Sequence, residues 1–418
     1  MELSELDQKE SKQTKMLAAL LIFIVAAVLL NWLVLFRPKS KVVIHNPVYP
    51  DLAAEAAAAQ ELEPEIVHQV LPDEVRGIYW TATTAGGSRG DQLLDYMTQM
   101  SLNAAVIDLK MDNGQLAFAP LNQAMRHYVM TKPAIADLDA LTKKLHERGI
   151  YAIARIAVFR DSAFARGNPQ LAMKWPGGSL WTDKTGAAWV DPATPHAANY
   201  AIDLGKEAYA RGFDEVQFDY VRFASDGSIS SIRYPVYDFS KTKIEVMQEF
   251  FARVGGALKE EAIPVSFDVF GMTFWSNHDY NIGQRLVDVW PNADFVSPMP
   301  YPSHYPNGFN GYANPALYPY EIVKSTLDKG AEMLETELGM FEETSRPTFR
   351  PWLQDFDIGA VYTAARIEAE IAAARDAGCS GWILWNARNV YEPADYLIGV
   401  GREEVGREDD GDLTSASE

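Results

Sequence analysis

Eight short apolar runs, at residues 76–80, 104–110, 151–158, 215–223, 264–271, 294–301, 348–354 and 381–388, recur along the chain. Each interval between them has helical periodicity, or the length for a helix and a loop. The clearest is 138–149, where Leu138, Leu141 and Leu145 share one face and Gly149 follows as the expected C-cap, with the next strand starting at once. Residues 198–212 repeat that design and again close on a glycine. Eight βα units over residues 75–400 imply an α/β fold in which the parallel strands close into a (β/α)8 TIM barrel. An open doubly wound sheet would carry a glycine-rich turn directly after its first strand, and Gly86-Gly87 comes several residues too late.

The flanks read differently. From Met16 to Phe36 no residue is charged, and at 1.5 Å per residue the run spans about 30 Å, a bilayer core. It is longer than the apolar part of a signal peptide and lacks a small-x-small cleavage site, so one N-terminal transmembrane helix, an uncleaved signal anchor, is expected at 16–36. Lys9, Lys12 and Lys15 balance Arg37, Lys39 and Lys41, so charge does not orient it. A short polar tail (1–15) stays inside easily, which puts the barrel outside the cytoplasm, periplasmic or at the cell surface. Residues 37–74 read as a stalk with an alanine-rich run, 75–400 as the barrel domain, and 401–418 as a disordered acidic tail.

A formal charge of −20 opposes a nucleic-acid partner, because phosphates need a basic surface. The single cysteine, Cys379, forbids an intrachain disulfide, and its apolar surroundings suit a small buried hydrophobe better than a nucleophile. The seven histidines show neither H-x-H nor H-E-x-x-H spacing, and no P-loop is present, so no metal or cofactor is expected. Asp112-Asn113-Gly114 reads as a plain turn. Gly86-Gly87-Ser88-Arg89-Gly90 matches the serine-hydrolase elbow, but residues 81–85 separate it from the strand, so Ser88 more naturally starts or caps a helix.

In such a barrel, chemistry sits at the C-terminal strand ends, and period-two alternation says which side chains share a face. Asp108 and Lys110 fall together on the second strand, Arg155 on the third, Gln217 and Asp219 on the fourth. Ser266 and Asp268 share a face of the fifth, and Arg350, Trp352 and Gln354 one of the seventh. Two carboxylates on adjacent strands, Asp219 and Asp268, are what glycoside hydrolysis needs: one ionised to attack or activate water, one holding a proton for the departing oxygen. Trp80, Trp275, Trp352 and Trp385 fall at or just after strand ends, with Trp175, Trp181 and Trp189 in the loop after the third. Flat aromatic faces suit sugar rings, and core packing uses them too.

The segments Val75-Arg76-Gly77-Ile78-Tyr79-Trp80, Leu102 to Lys110 and Gly212 to Phe223, with Ser266 to Gly271 and Ser297 to Pro302, resemble a bacterial family of putative glycoside hydrolases long treated as a domain of unknown function, the DUF4015 type. That resemblance covers nearly the whole barrel and implies a sugar-active enzyme distantly like the α-amylase barrels. Asp219 stands where those place a nucleophile, Asp268 where they place a glutamic acid, and Gln217 where they have an arginine. The expected function is a glycosidase acting on an extracytoplasmic polysaccharide, with Asp219 as nucleophile or base and Asp268 as proton donor. Asp108, Lys110, Arg155, Gln217, Arg222, Tyr301, Trp352, Gln354, Trp385 and Asn386 are the expected sugar-binding residues. The alternatives are a glycan-binding or scaffold barrel without turnover, and an esterase using Ser88.

Overall fold

The computed structural model describes residues 67–398, and the expected anchor at 16–36, most of the stalk and the acidic tail lie outside the described residues. Among the described residues, no helix is long and apolar enough to cross a membrane. Eight strands, β1 Val75–Trp80, β2 Ala104–Lys110, β3 Tyr151–Ala157, β4 Glu215–Asp219, β5 Val265–Phe270, β6 Phe295–Met299, β7 Trp352–Gln354 and β8 Gly381–Trp385, form one parallel sheet ordered β6-β5-β4-β3-β2-β1-β8-β7. Its two edges meet where Val296 bridges Phe349 in parallel and the Arg350 N–H donates to the Val296 carbonyl at 3.0 Å. The barrel is therefore nearly closed, as the eightfold repeat implies.

Local chemistry sets the element ends. The helix Leu138–His146 starts where the Asp137 side chain accepts the Ala140 N–H at 3.0 Å. Pro195 opens the helix Pro195–Ala210, where its missing N–H costs nothing. Thr242 and Glu245 make a reciprocal capping box at Lys243–Lys259. Gly149 and Gly212, with φ of +67° and +90°, turn the chain from helix into strand as expected. Several strands are shorter than their apolar runs. β4 stops at Asp219 because Tyr220 takes φ +53°, outside the pleat. β7 is confined to three residues, since Arg346–Thr348 is a 3-10 turn and Pro351 has no N–H to give a ladder. β8 ends at Trp385, where Asn386 bends the chain by accepting the Arg388 N–H.

Alternation divides the interior into two cores. Outward strand residues such as Ile78, Ile107, Phe218, Phe267 and Leu384 pack against Leu141, Leu145, Phe251 and Ile371 of the helices. Each such burial contributes about 1.5–3 kcal/mol. Inward residues Val75, Tyr79, Val106, Tyr151, Ile153, Trp352 and Ile383 fill the lumen. Below them Arg350 pairs with Glu215 at 2.5 Å, both fully buried, and Ser266 donates to the same carboxylate at 2.6 Å, which plugs the barrel with a charged and polar layer.

Glu370, buried on the helix Ala364–Asp376, accepts the Gln354 N–H at 2.8 Å and pairs with the Tyr362 hydroxyl, which ties that helix to β7. Burial pushes its carboxyl up to about 8, and that of Asp355 up to about 7. Unfolded, both lose their protons in the ordinary carboxylate range; folded, they keep them to near neutrality. The native state binds more protons across that interval, so this stabilisation is complete at low pH and is lost as pH rises through the folded values. Thermal denaturation should therefore give a melting temperature that falls between pH 5 and pH 9, with a shallower fall in Glu370→Gln.

Candidate active site

At the C-terminal ends of the strands, Tyr79, Asp108, Arg155, Asp219, Arg222, Tyr301, Trp352 and Trp385 line a cavity of about 390 Å³. Its floor is organised by Arg155. One guanidinium nitrogen pairs with Asp108 Oδ1 at 2.5 Å, another with Asp219 Oδ2, and Nε lies 4.0 Å from Asp268 Oδ2. Register explains the convergence, since Arg155 sits opposite Asp108 on β2 and Gln217 on β4, with Asp219 one inward step further up.

Each carboxyl has a different second partner. Asp108 accepts the Tyr79 hydroxyl at 2.5 Å, so both its oxygens are used. Asp219 Oδ1 accepts the Tyr220 N–H at 2.5 Å, a bond to the peptide that directly follows it. Asp268 accepts the Trp352 indole N–H on Oδ1 at 2.7 Å, while its Oδ2 has no hydrogen-bond partner. Burial, then repulsion by Asp219, hold the Asp268 carboxyl well above the usual range. Burial raises Asp108 as well, against the attraction of Arg155. For Arg155, burial favours the neutral form, but the charges of Asp108 and Asp219 outweigh it and keep the guanidinium protonated. Asp268 is only 1% exposed and lies beneath the cavity, whereas Asp219 faces into it.

The structure thus brings Asp108, Arg155, Asp219, Arg222, Tyr301, Trp352 and Trp385 to one cavity, with Asp268 directly under it. Four residues sit elsewhere. Lys110 points to the helix side, where its ammonium meets Asp161 at 2.7 Å and lies over the Tyr200 ring. A bulge in β2 sends it there: Asp108 pairs with Arg155 but Lys110 with the very next residue, Ile156, so two steps on β2 match one on β3. Gln217 is deeper in the lumen and donates to Ser297 at 2.9 Å. Gln354 accepts from the Ser303 hydroxyl at 2.8 Å and donates to the Phe356 carbonyl at 2.9 Å. Asn386 donates to the carbonyls of Asp355 and Val390. The last two brace loops with their amides.

Arg222 covers the Phe270, Trp189 and Tyr220 rings at 4.6, 5.1 and 5.4 Å, and burial lowers its pKa. Residues the sequence reading left out also line the cavity. Tyr79 stacks on Trp385 at 4.1 Å and shares the inward face of β1 with Val75 and Gly77, so alternation alone marks it. Tyr220, Phe270 and Met299 belong to strand ends whose turns no local pattern announces. Ser88 is the first residue of the exposed start of the helix Ser88–Gln99, as a helix-starting reading expects. Asp112 to Gly114 form a turn, and among the described residues no cluster of His, Cys, Asp and Glu has a metal-holding arrangement. Another cavity, of about 240 Å³, lies between the helices Pro195–Ala210 and Lys243–Lys259, where Lys241 and Arg253 are already partnered by Glu249 and Asn199.

Fold and site together define a (β/α)8-barrel enzyme with an acid-rich, aromatic-walled cavity at the strand ends. The chain belongs to the family described as "Putative glycosyl hydrolase domain", whose model (DUF4015) matches residues 77–391, and by that membership it is a glycoside hydrolase. It is similar to a hypothetical protein from Ruminiclostridium thermocellum, at 30% identity over 46% of this chain and 97% of that one, with a TM-score of 0.41. The glycoside hydrolase domain of PgaB (BpsB) from Bordetella bronchiseptica shares the fold at 16% identity, covering 79% of this chain and 97% of its own, with a TM-score of 0.52. The comparison with curated proteins returns no match.

Replacing Arg155 by alanine would leave three carboxyls facing one another without a cation. Breaking a buried pair in this way costs about 3–5 kcal/mol. Urea unfolding of Arg155→Ala should show a loss of that order, and a loss under 1 kcal/mol, the scale of an exposed ion pair, would mean that the cluster is not the buried network described.

Proposed function

We propose that the protein hydrolyses O-glycosidic bonds of an extracytoplasmic polysaccharide with Asp219 and Asp268 as its carboxylate pair. The observation that carries this reading is the asymmetry between them. Asp219 faces the cavity and is held by Arg155 and the Tyr220 N–H, the environment of a nucleophile or base. Asp268 is kept protonated by burial and by the charge of Asp219, the condition for a proton donor. In the α-amylase-like barrels that the chain resembles, an arginine stands two positions before the nucleophile. Here Arg155, directly across from Gln217 in register, supplies a guanidinium to Asp219 from the neighbouring strand. Tyr79, Tyr301, Trp352 and Trp385 offer aromatic surface for the sugar ring, and Arg222 a guanidinium for its oxygens. The apolar run 16–36 supports anchoring to a membrane with the barrel outside the cytoplasm.

A second reading, glycan binding without turnover, is favoured by one feature: both Asp219 oxygens are already engaged and Asp268 is covered. Incubation of the full-length protein with envelope and storage polysaccharides, scored by new reducing ends, separates the two. Release by wild type should disappear in Asp219→Asn, with the folded state retained by circular dichroism. Loss of the proton donor in Asp268→Asn should slow turnover about 10²–10⁴-fold, and wild-type activity should fall as alkaline pH removes the Asp268 proton. Full activity in Asp268→Asn would pass the donor role to another cavity carboxyl, with Asp112 the more exposed choice. Saturable binding with no release would establish the binding module.

A further inference from the structure

A second cavity, of about 490 Å³, opens beside the first and shares Tyr301, Trp385 and Ala387 with it. Its other walls come from the loops after β6, β7 and β8, among them His304, Phe356, Asp357 and Arg388. Each cavity alone falls in the range of about 300–1,000 Å³ that accommodates a whole small ligand. A single sugar unit above Asp219 would leave the second one empty, whereas two or more consecutive units would fill both.

The second cavity is a built feature. Gln354 and Asn386, both buried, spend their amides on the three loops that form it: Gln354 joins Ser303 to Phe356, and Asn386 joins Asp355 to Val390. Its chemistry suits sugar contact without reaction. The Phe356 ring stands edge-on to Tyr301 at 5.4 Å and remains partly exposed. Burial lowers the His304 pKa, which favours the neutral imidazole; its Nδ1 meets the Ser303 hydroxyl at 3.1 Å, and that hydroxyl donates to Gln354, so Nε2 is left to accept from a sugar hydroxyl. Arg388 is exposed and has no ion-pair partner among the described residues. None of the Asp108, Asp219, Asp268 and Arg155 cluster lines this cavity.

We propose that the second cavity is a distal subsite, so that the enzyme takes a glycan chain of at least two consecutive units across Trp385, reacting in the first cavity and gripping in the second. The inference rests on the glycosidase reading and adds to it where the chain is held beyond the reacting unit, by Phe356 and Arg388 of the second cavity. The test uses the full-length Asp219→Asn protein, which does not consume its ligand. Its tryptophan fluorescence, to which Trp352 and Trp385 of the cavity walls contribute, is titrated with cello-, chito-, xylo- and malto-oligosaccharides of one to six units.

In the series that binds, affinity should rise at least about fivefold from one unit to three, the scale of one aromatic contact, and then level off. Phe356→Ala and Arg388→Ala in the same background should flatten that rise without moving the melting temperature. Affinity independent of chain length, or a rise that survives both substitutions, overturns the distal subsite. If none of the four series binds while wild type releases reducing ends from an envelope polysaccharide, fragments of that polysaccharide become the probe, under the same two criteria. Neither binding nor release would overturn the glycosidase reading and the subsite together, whereas release with length-independent binding overturns the subsite alone.

Discussion

Arg155 leaves β3 into a lumen to which β2, β4 and β5 each deliver an aspartate, and its guanidinium is what allows three carboxyls to share that space. Moving a charge out of water costs several kcal/mol, and like charges in a low-dielectric interior repel strongly. The cluster meets both costs in different ways at different members. Asp108 is satisfied on both oxygens, Asp219 is paired and turned to the cavity, and burial with the charge of Asp219 holds the Asp268 carboxyl well above its usual range. An arginine suits the centre of such a cluster better than a lysine, because its planar fork presents several donors to different partners and it does not give up its charge.

The surrounding lumen is arranged to keep that network in place. Tyr79 donates to Asp108 and stacks on Trp385, Trp352 donates to Asp268 and stands edge-on to Trp385 at 5.4 Å, and the Arg155 guanidinium lies over Trp385 at 5.3 Å. Each aromatic thus serves twice, as packing surface and as hydrogen-bond donor or cation partner. Few other side chains could do both, which is why the upper lumen is aromatic whereas the outer core is mainly aliphatic and phenylalanine-rich. Lower down, the Glu215–Arg350 layer closes the barrel independently of the mouth.

Much of this arrangement is legible in the sequence, because a strand has a period of two and the barrel has only an inside and an outside. Alternation alone carries Asp108, Arg155, Asp219, Asp268 and Trp352 to the lumen. The reading gives way wherever the period is broken. At Lys110 a single bulge turns the side chain through the sheet to Asp161, and nothing in Ala104–Lys110 itself announces the extra residue. Gln354 and Asn386, the latter lining the second cavity, illustrate a different limit. They stand at strand ends, where loop carbonyls from distant parts of the chain compete for their amides, and that competition is settled by tertiary structure. Tyr79 had the right face and position, but an aromatic residue on a buried strand has the same pattern whether it packs or bonds.

Tyr220 shows the chain departing from local preference at the turn directly after Asp219. A non-glycine residue in the left-handed region costs of order 1–3 kcal/mol, and a glycine at 220 would avoid it. The tyrosine ring explains why it is not a glycine: it packs edge-on against Trp189 at 5.9 Å and lies under the guanidinium groups of Arg160 and Arg222 at 5.3 and 5.4 Å. Those contacts offset the backbone cost, and just before the turn the Tyr220 N–H bonds the preceding carboxylate. With Arg155 on one oxygen and a backbone N–H on the other, Asp219 has little rotational freedom left. Its orientation is set by Arg155 of β3 and by the peptide that follows β4 before any ligand arrives, which preorganises the one carboxylate of the candidate pair that reaches the cavity.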